Sequence, residues 1–180
     1  MQDDGDDIAR IDRAIRVIAD FPKPGIAFRD ISPLMAEPAA FRAALRLLDA
    51  RARAMAPDVI VAVEARGFLF GAPLADRLGV PLVPARKAGK LPGATISVDY
   101  ALEYGHARLE MQHGALAPGA GALLVDDLLA TGGTIAAAGA LARQCGARVV
   151  GALFLIELDG LGGAARLAAD DISWKAILRY

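Results

Sequence analysis

A mostly parallel α/β sheet with helices on its faces is the fold class that this sequence predicts. Three observations lead there: short β-branched apolar runs alternate with amphipathic helical stretches, the runs end in polar turns, and 55% of the 180 residues are hydrophobic. A chain of that length favours a single core, so one domain spanning 1–180 is expected.

The elements follow in order. Ile8, Ile11, Ile15 and Ile18 recur at helical spacing behind an Asp6-Asp7 cap, predicting an opening helix that ends before Phe21-Pro22-Lys23-Pro24-Gly25. A second helix follows Pro38, with Phe41, Leu45, Leu48, Ala52 and Met55 inward and Arg42, Arg46, Arg51 and Arg53 outward, until Pro57 stops it. Val59 to Val63 reads as a buried parallel strand, Phe68 to Leu78 as a helix and Pro81 to Ala85 as the next strand, which makes a βαβ unit. Ala122 to Val125 is a third buried run, Thr134 to Cys145 the helix after it and Arg148 to Leu155 a fourth strand. Between Arg86 and Pro118 the rhythm changes. Ala107, Leu109 and Met111 alternate with Arg108, Glu110 and Gln112, which predicts a hairpin beside the core, and its glycines and charges predict a functional flap.

Composition narrows the function. A formal charge of −1 gives no global basic field for a nucleic-acid backbone, so any anion site must be local. Cys145 is the only cysteine, which excludes an intramolecular disulfide and a cysteine-based zinc framework, and its helical position predicts a buried structural thiol. His106 and His113 lack metal-ligand spacing and are expected at the surface. The longest apolar run, Val149 to Ile156, stops at Glu157, well short of the roughly 18 residues of a membrane span. With Asp3, Asp4, Asp6 and Asp7 where a signal peptide is basic, a soluble cytoplasmic protein with no membrane partner is expected.

In open α/β sheets ligands sit at the carboxyl ends of strands. There, Leu123-Leu124-Val125 runs into Asp126-Asp127, then Leu128-Leu129, then Ala130-Thr131-Gly132-Gly133-Thr134 at a helix start. Two glycines let backbone N–H groups converge, two threonines add hydroxyl donors, and the helix N-terminus adds positive potential: a cradle for one phosphate. A Walker loop would need Lys where Gly133 stands, which argues against a nucleoside triphosphate. Ionised carboxylates accept from ribose hydroxyls, so acid pair and cradle together fit a ribose 5-phosphate.

That stretch resembles the phosphoribosyl-pyrophosphate signature of the type I phosphoribosyltransferase family. The likeness to the adenine-acting members extends over Phe21 to Ile31, Glu64-Ala65-Arg66-Gly67-Phe68, Arg86 to Gly93 and Leu102-Glu103-Tyr104-Gly105. What it implies is transfer of a 5-phosphoribosyl group from phosphoribosyl pyrophosphate to N9 of adenine, giving AMP and pyrophosphate, with Mg²⁺ bound mainly through the donor and not directly by the protein. The implied arrangement is a type I phosphoribosyltransferase fold with a base-binding hood and N-terminal helix over about 1–35, a core over 36–180 and a flexible β-hairpin flap over about 86–112. Family members are usually homodimers.

The resemblance also assigns residues. Asp126, Asp127, Ala130, Thr131, Gly132, Gly133 and Thr134 take the ribose and 5-phosphate; Ala65, Arg66, Arg86, Lys87 and Lys90 take the pyrophosphate. Ala27, Phe28 and Arg29 take adenine. Arg66 and Glu103 are implied as catalytic, Glu103 handling the proton as N9 attacks, with Tyr104 beside it on the flap. Ala27 stands where family members often carry Val or Leu, which implies a looser base pocket. Two other readings share the donor site: transfer to hypoxanthine, guanine or xanthine, and a non-catalytic regulator that senses the donor and binds nucleic acid. The Pro-Gly-x-x-Phe-Arg-Asp loop favours adenine over the first, and the charge of −1 opposes the second.

Overall fold

The computed structural model describes residues 2–101 and 106–180, and the chain divides into two compact units, Met1–Leu47 and Leu48–Tyr180. In the first, α1 (Gln2–Arg13) is followed by β1 (Arg16–Ile18), β2 (Phe28–Asp30), α2 (Ser32–Ala36) and the start of α3 (Pro38–Met55). The helical spacing of the isoleucines overstates α1. It ends at Arg13, because Arg16 to Ile18 pair antiparallel with Asp30 to Phe28, and the Arg16 Nε lies 3.0 Å from the Asp30 carboxylate. Strand pairing and an ion pair override the period there. Asp7, expected as a cap, lies inside α1 and is buried against the guanidinium of Arg46.

The second unit holds the sheet. Its elements are β3 (Val59–Val63), α4 (Gly67–Leu78), β4 (Leu82–Lys87), β5 (Thr95–Ala101), β6 (His106–Gln112), β7 (Gly121–Leu129), α5 (Gly133–Gln144), β8 (Arg148–Glu157), α6 (Gly163–Ala169) and β9 (Trp174–Arg179). Seven strands run in the order β5-β6-β4-β3-β7-β8-β9, parallel from β4 to β9, with the β5–β6 hairpin added antiparallel at β4.

Val59, Val61 and Val63 face a cluster that includes Ile135, Ala138 and Leu141 of α5. On the other face Gly71 of α4 lies so close that an added Cβ would come within 2.5 Å of the Ala62 Cβ. Helices therefore cover both faces, and β3 is buried throughout, which is why it reads as an unbroken apolar run.

Two expectations need correction. The strand predicted at Ala122 to Val125 continues to Leu129, so the acid pair lies within β7, where Asp126 pairs with Phe154 and Leu129 with Glu157 of β8. The hairpin, expected beside the core as a flap rich in glycines and charges, is joined to β4 through Arg86 opposite Glu110 and Lys87 opposite Leu109. It sends Tyr100, Leu109 and Met111 into the core cluster. Moving the whole of 86–112 would expose them. Cys145 is half-buried, not buried, with Sγ 3.9 Å from the Met111 sulfur, and burial raises its thiol pKa. His113 is exposed; the His106 side chain lies outside the described residues.

Candidate active site

Three parallel strands end on one side of the sheet, and their continuations enclose a cavity of about 400 Å³. From β3 come Glu64, Ala65 and Arg66; from β4, Lys87; from β7, Asp126 and Asp127; from the start of α5, Thr134. The hairpin closes one wall with Tyr100, Ala107 and Leu109. Gly67 sets the distance between the β3 loop and β7, since an added Cβ would meet the Val125 carbonyl oxygen at 2.6 Å and the Asp126 backbone at 3.1 Å. The Glu64–Ala65 peptide is cis.

A smaller cavity of about 90 Å³ lies alongside, over Ala130, Thr131, Gly132, Gly133 and Thr134, and shares Asp126 and Thr134 with the larger one. Gly132 has φ +76°, a left-handed conformation that side chains oppose, and its α-carbon faces the backbone of Gly163, 3.1 Å from where a Cβ would stand. The reverse contact is tighter. A Cβ on Gly163 would lie 2.2 Å from the Ala130 carbonyl oxygen. The two glycines thus press the start of α6 against the loop, and the turn ahead of α5 is held from behind.

Charge is distributed unevenly around the larger cavity. Asp127 is buried and pairs with Arg66, Nε to Oδ2 2.8 Å, while Asp126 accepts the Asp127 N–H at 2.9 Å. Burial, and next the neighbouring Asp127 charge, push the Asp126 carboxyl well above its ordinary range. Burial raises Asp127 too, opposed by Arg66. Glu64 is the reverse case: hydrogen bonds from Arg86, at 3.1 and 3.3 Å, lower its pKa against burial, helped by the Lys87 N–H at 2.9 Å. Arg86 also donates to the Lys90 carbonyl at 2.9 Å and stands 6.0 Å from the Phe68 ring centroid.

Residues 32–178 match the phosphoribosyl transferase domain. The chain belongs to the phosphoribosyltransferase family. It is 56% identical over 166 residues to the adenine phosphoribosyltransferase of Sphingopyxis alaskensis, covering 92% of this chain and 90% of that one. With the enzyme of the same name from Shewanella loihica it is 51% identical over 97% of both chains. Among solved structures, adenine phosphoribosyltransferase from Thermoanaerobacter pseudethanolicus superposes with a TM-score of 0.92 at 45% identity, covering 96% of this chain and 99% of that one. The Saccharomyces cerevisiae enzyme, solved with an imino-altritol bisphosphate and adenine, gives 0.91 at 37% identity over 97% and 99%. The fold is that of the type I phosphoribosyltransferases.

Of the residues this family membership singles out, Ala65, Arg66, Lys87, Asp126, Asp127 and Thr134 line one cavity, and Ala130 to Gly133 line the adjoining one. Arg86 sits at the junction of β4 and β6, engaged by Glu64, and Lys90 lies on an exposed turn. In the N-terminal unit Ala27 is exposed, Arg29 half-buried, and the half-buried Phe28 ring meets Phe21 edge-on, centroids 5.1 Å apart at 74°. Asp30, next in that loop, is held down at about 2 by hydrogen bonds from Ser32 and then by Arg16. Glu103 and Tyr104 lie outside the described residues.

Sequence reasoning gave no role to Glu64, Tyr100 or Gly163. Glu64 had a signal, a carboxylate directly after a buried strand. The other two had none, since their partners are 34 residues away at Thr134 and 33 away at Ala130.

Proposed function

We propose that this chain transfers the 5-phosphoribosyl group of phosphoribosyl pyrophosphate to N9 of adenine, forming AMP and pyrophosphate. One observation carries the reading: two carboxylates, a glycine-threonine loop and two cations converge on adjoining cavities at the carboxyl ends of β3, β4 and β7. Asp126 and Asp127 accept from the ribose 2- and 3-hydroxyls. The 5-phosphate takes the N–H groups of Thr131 to Thr134 and the start of α5. Arg66 and Lys87 face the diphosphate, and Arg86 and Lys90 complete its surroundings.

In the reaction the bond from C1′ to the diphosphate oxygen breaks, the diphosphate leaves with the electron pair, and N9 of adenine forms the new bond to C1′. Cations on the diphosphate lower the barrier to its departure. Glu103 takes the N9 proton. Ala27, Phe28 and Arg29 read the base: a backbone carbonyl accepts from the 6-amino group of adenine and would face another acceptor in hypoxanthine or guanine, leaving a buried polar atom unpaired. The relatives reported above carry adenine in their names, which supports adenine over the other purines.

A divalent cation fits the donor set. No cluster of three or more His, Cys, Asp or Glu that could hold a metal occurs among the described residues, while burial and the neighbouring Asp127 charge oppose ionisation of Asp126, an opposition that an incoming cation would relieve. Mg²⁺ arriving on the donor would draw its ligands chiefly from the donor's own oxygens, with Asp126 and Asp127 beside them, and would neutralise the leaving group. No helix among the described residues is long and apolar enough to cross a membrane. The same reading includes a single phosphoribosyltransferase domain working as a homodimer in the cytoplasm, which sedimentation equilibrium and cell fractionation check.

The test is a purine panel. With donor and Mg²⁺, adenine should give AMP while hypoxanthine, guanine and xanthine give product at least about 100-fold more slowly. Equal turnover with hypoxanthine would overturn the base assignment, and no AMP with any donor concentration would overturn the activity.

A further inference from the structure

The hairpin carries into the site a polar side chain that the proposed chemistry leaves unused. Tyr100, near the end of β5, is 7% exposed, and the Thr134 hydroxyl donates to its oxygen across 3.5 Å. Both line the larger cavity with Asp126 and Asp127, and Thr134 also closes the smaller one. The ring needs no hydroxyl for its packing: it belongs to the cluster of Leu109, Ile135 and Ala138, and phenylalanine would fill the same space. A buried hydroxyl is retained where it has a partner, and this partner is in the phosphate loop.

We infer that Tyr100 is a positioning residue for the donor's 5-phosphate, acting through Thr134. Each hydroxyl has one proton and two lone pairs, so the pair can orient in either direction. A phosphate dianion over the loop selects one of them: Tyr100 donates to Thr134 Oγ1, and the Thr134 O–H points at a phosphate oxygen. The two bonds then polarise each other in the same sense. Filling the cradle is thereby tied to the hairpin wall, because the group that orients Thr134 sits on β5. This rests on the phosphoribosyl-transfer reading above.

Tyr100→Phe tests it, with calorimetric titration of ribose 5-phosphate and steady-state kinetics of the whole enzyme. The dissociation constant for ribose 5-phosphate and the KM for the donor should each rise about three- to tenfold, the loss of one hydrogen bond. kcat, the KM for adenine and the melting temperature should stay within error of wild type. In a Thr134→Val background the same change should have no further effect, because the relay is already cut. Unchanged ribose 5-phosphate affinity, a loss of equal size in both backgrounds, or a melting temperature that falls with a rising adenine KM would each overturn the inference. If wild type itself bound no ribose 5-phosphate, the donor-site reading would fail first and independently of Tyr100.

Discussion

At the scale of single residues, the acid pair of β7 sets stability against function. The folded protein keeps a proton on Asp126 at pH values where the unfolded chain, with its ordinary value of 3.8, has released it. A raised carboxyl pKa contributes stability that is present at low pH and lost as pH rises through the folded-state value. Asp126→Asn stays neutral throughout, so its melting temperature should equal that of wild type near pH 4 and exceed it by a margin that grows toward pH 8. The same variant should lose on the order of 10- to 100-fold in kcat/KM for the donor, the scale of one or two hydrogen bonds to the ribose hydroxyls. A melting difference that did not change with pH would remove the electrostatic account; full activity would remove the ribose contact. The pair itself was legible in the sequence, because two adjacent carboxylates directly after a buried run are out of place unless something binds them. Their pairing with Arg66 was not. Arg66 lies 61 positions away along the chain, and nothing local records that its Nε meets Asp127 at 2.8 Å.

Elements carry a second set of consequences. The Ala130 to Thr134 loop is shaped by its own φ angles and by α6 behind it, so Gly163→Ala should damage the proposed site without touching a ligand. A methyl 2.2 Å from the Ala130 carbonyl must push the loop or α6 aside, at a cost of about 1–3 kcal/mol, and should raise the donor KM more than the adenine KM. Equal donor binding would show that the loop tolerates the displacement. Gly132→Val should be worse, since it adds a left-handed strain to a backbone contact at 3.1 Å.

In the hairpin, Leu109→Ala should cost about 2–5 kcal/mol, as for any buried leucine, and a loss near zero would restore the picture of a free lid. The hairpin's alternation was readable from the sequence, but its attachment to β4 was not, for two backbone pairings at Arg86 and Lys87 leave no pattern in residue type. α6 and β9 were missed for a related reason. One is seven residues long, and the other, Trp174 to Arg179, is an edge strand whose Lys175 interrupts its apolar residues and whose Arg179 ends it.

For the whole molecule, the parallel strands β3, β4, β7 and β8 were legible because strands buried on both faces spell themselves as apolar runs, while their order in the sheet was not. The tight Ala130 to Thr134 loop leading into α5 was legible in its residues equally well. Long-range ion pairs and glycine contacts could not be read, being properties of the folded chain. The exposed turn from Ala88 to Ala94, with Gly89 and Gly93 at positive φ, is the natural point of protease attack beside the proposed donor site. Cleavage there should be fast in the free protein and slowed by phosphoribosyl pyrophosphate with Mg²⁺, as the donor favours the form in which Arg86, Lys87 and Lys90 are engaged. Unaltered cleavage would separate this turn from the donor site.

The central claim is that β7 and the loop before α5 hold the ribose 5-phosphate. A crystal structure of the protein with phosphoribosyl pyrophosphate and Mg²⁺ tests it most directly. The ribose hydroxyls should lie within hydrogen-bond distance of Asp126 and Asp127, with the 5-phosphate on the N–H groups of Thr131 to Thr134. A donor bound anywhere else, with those groups untouched, would contradict the account.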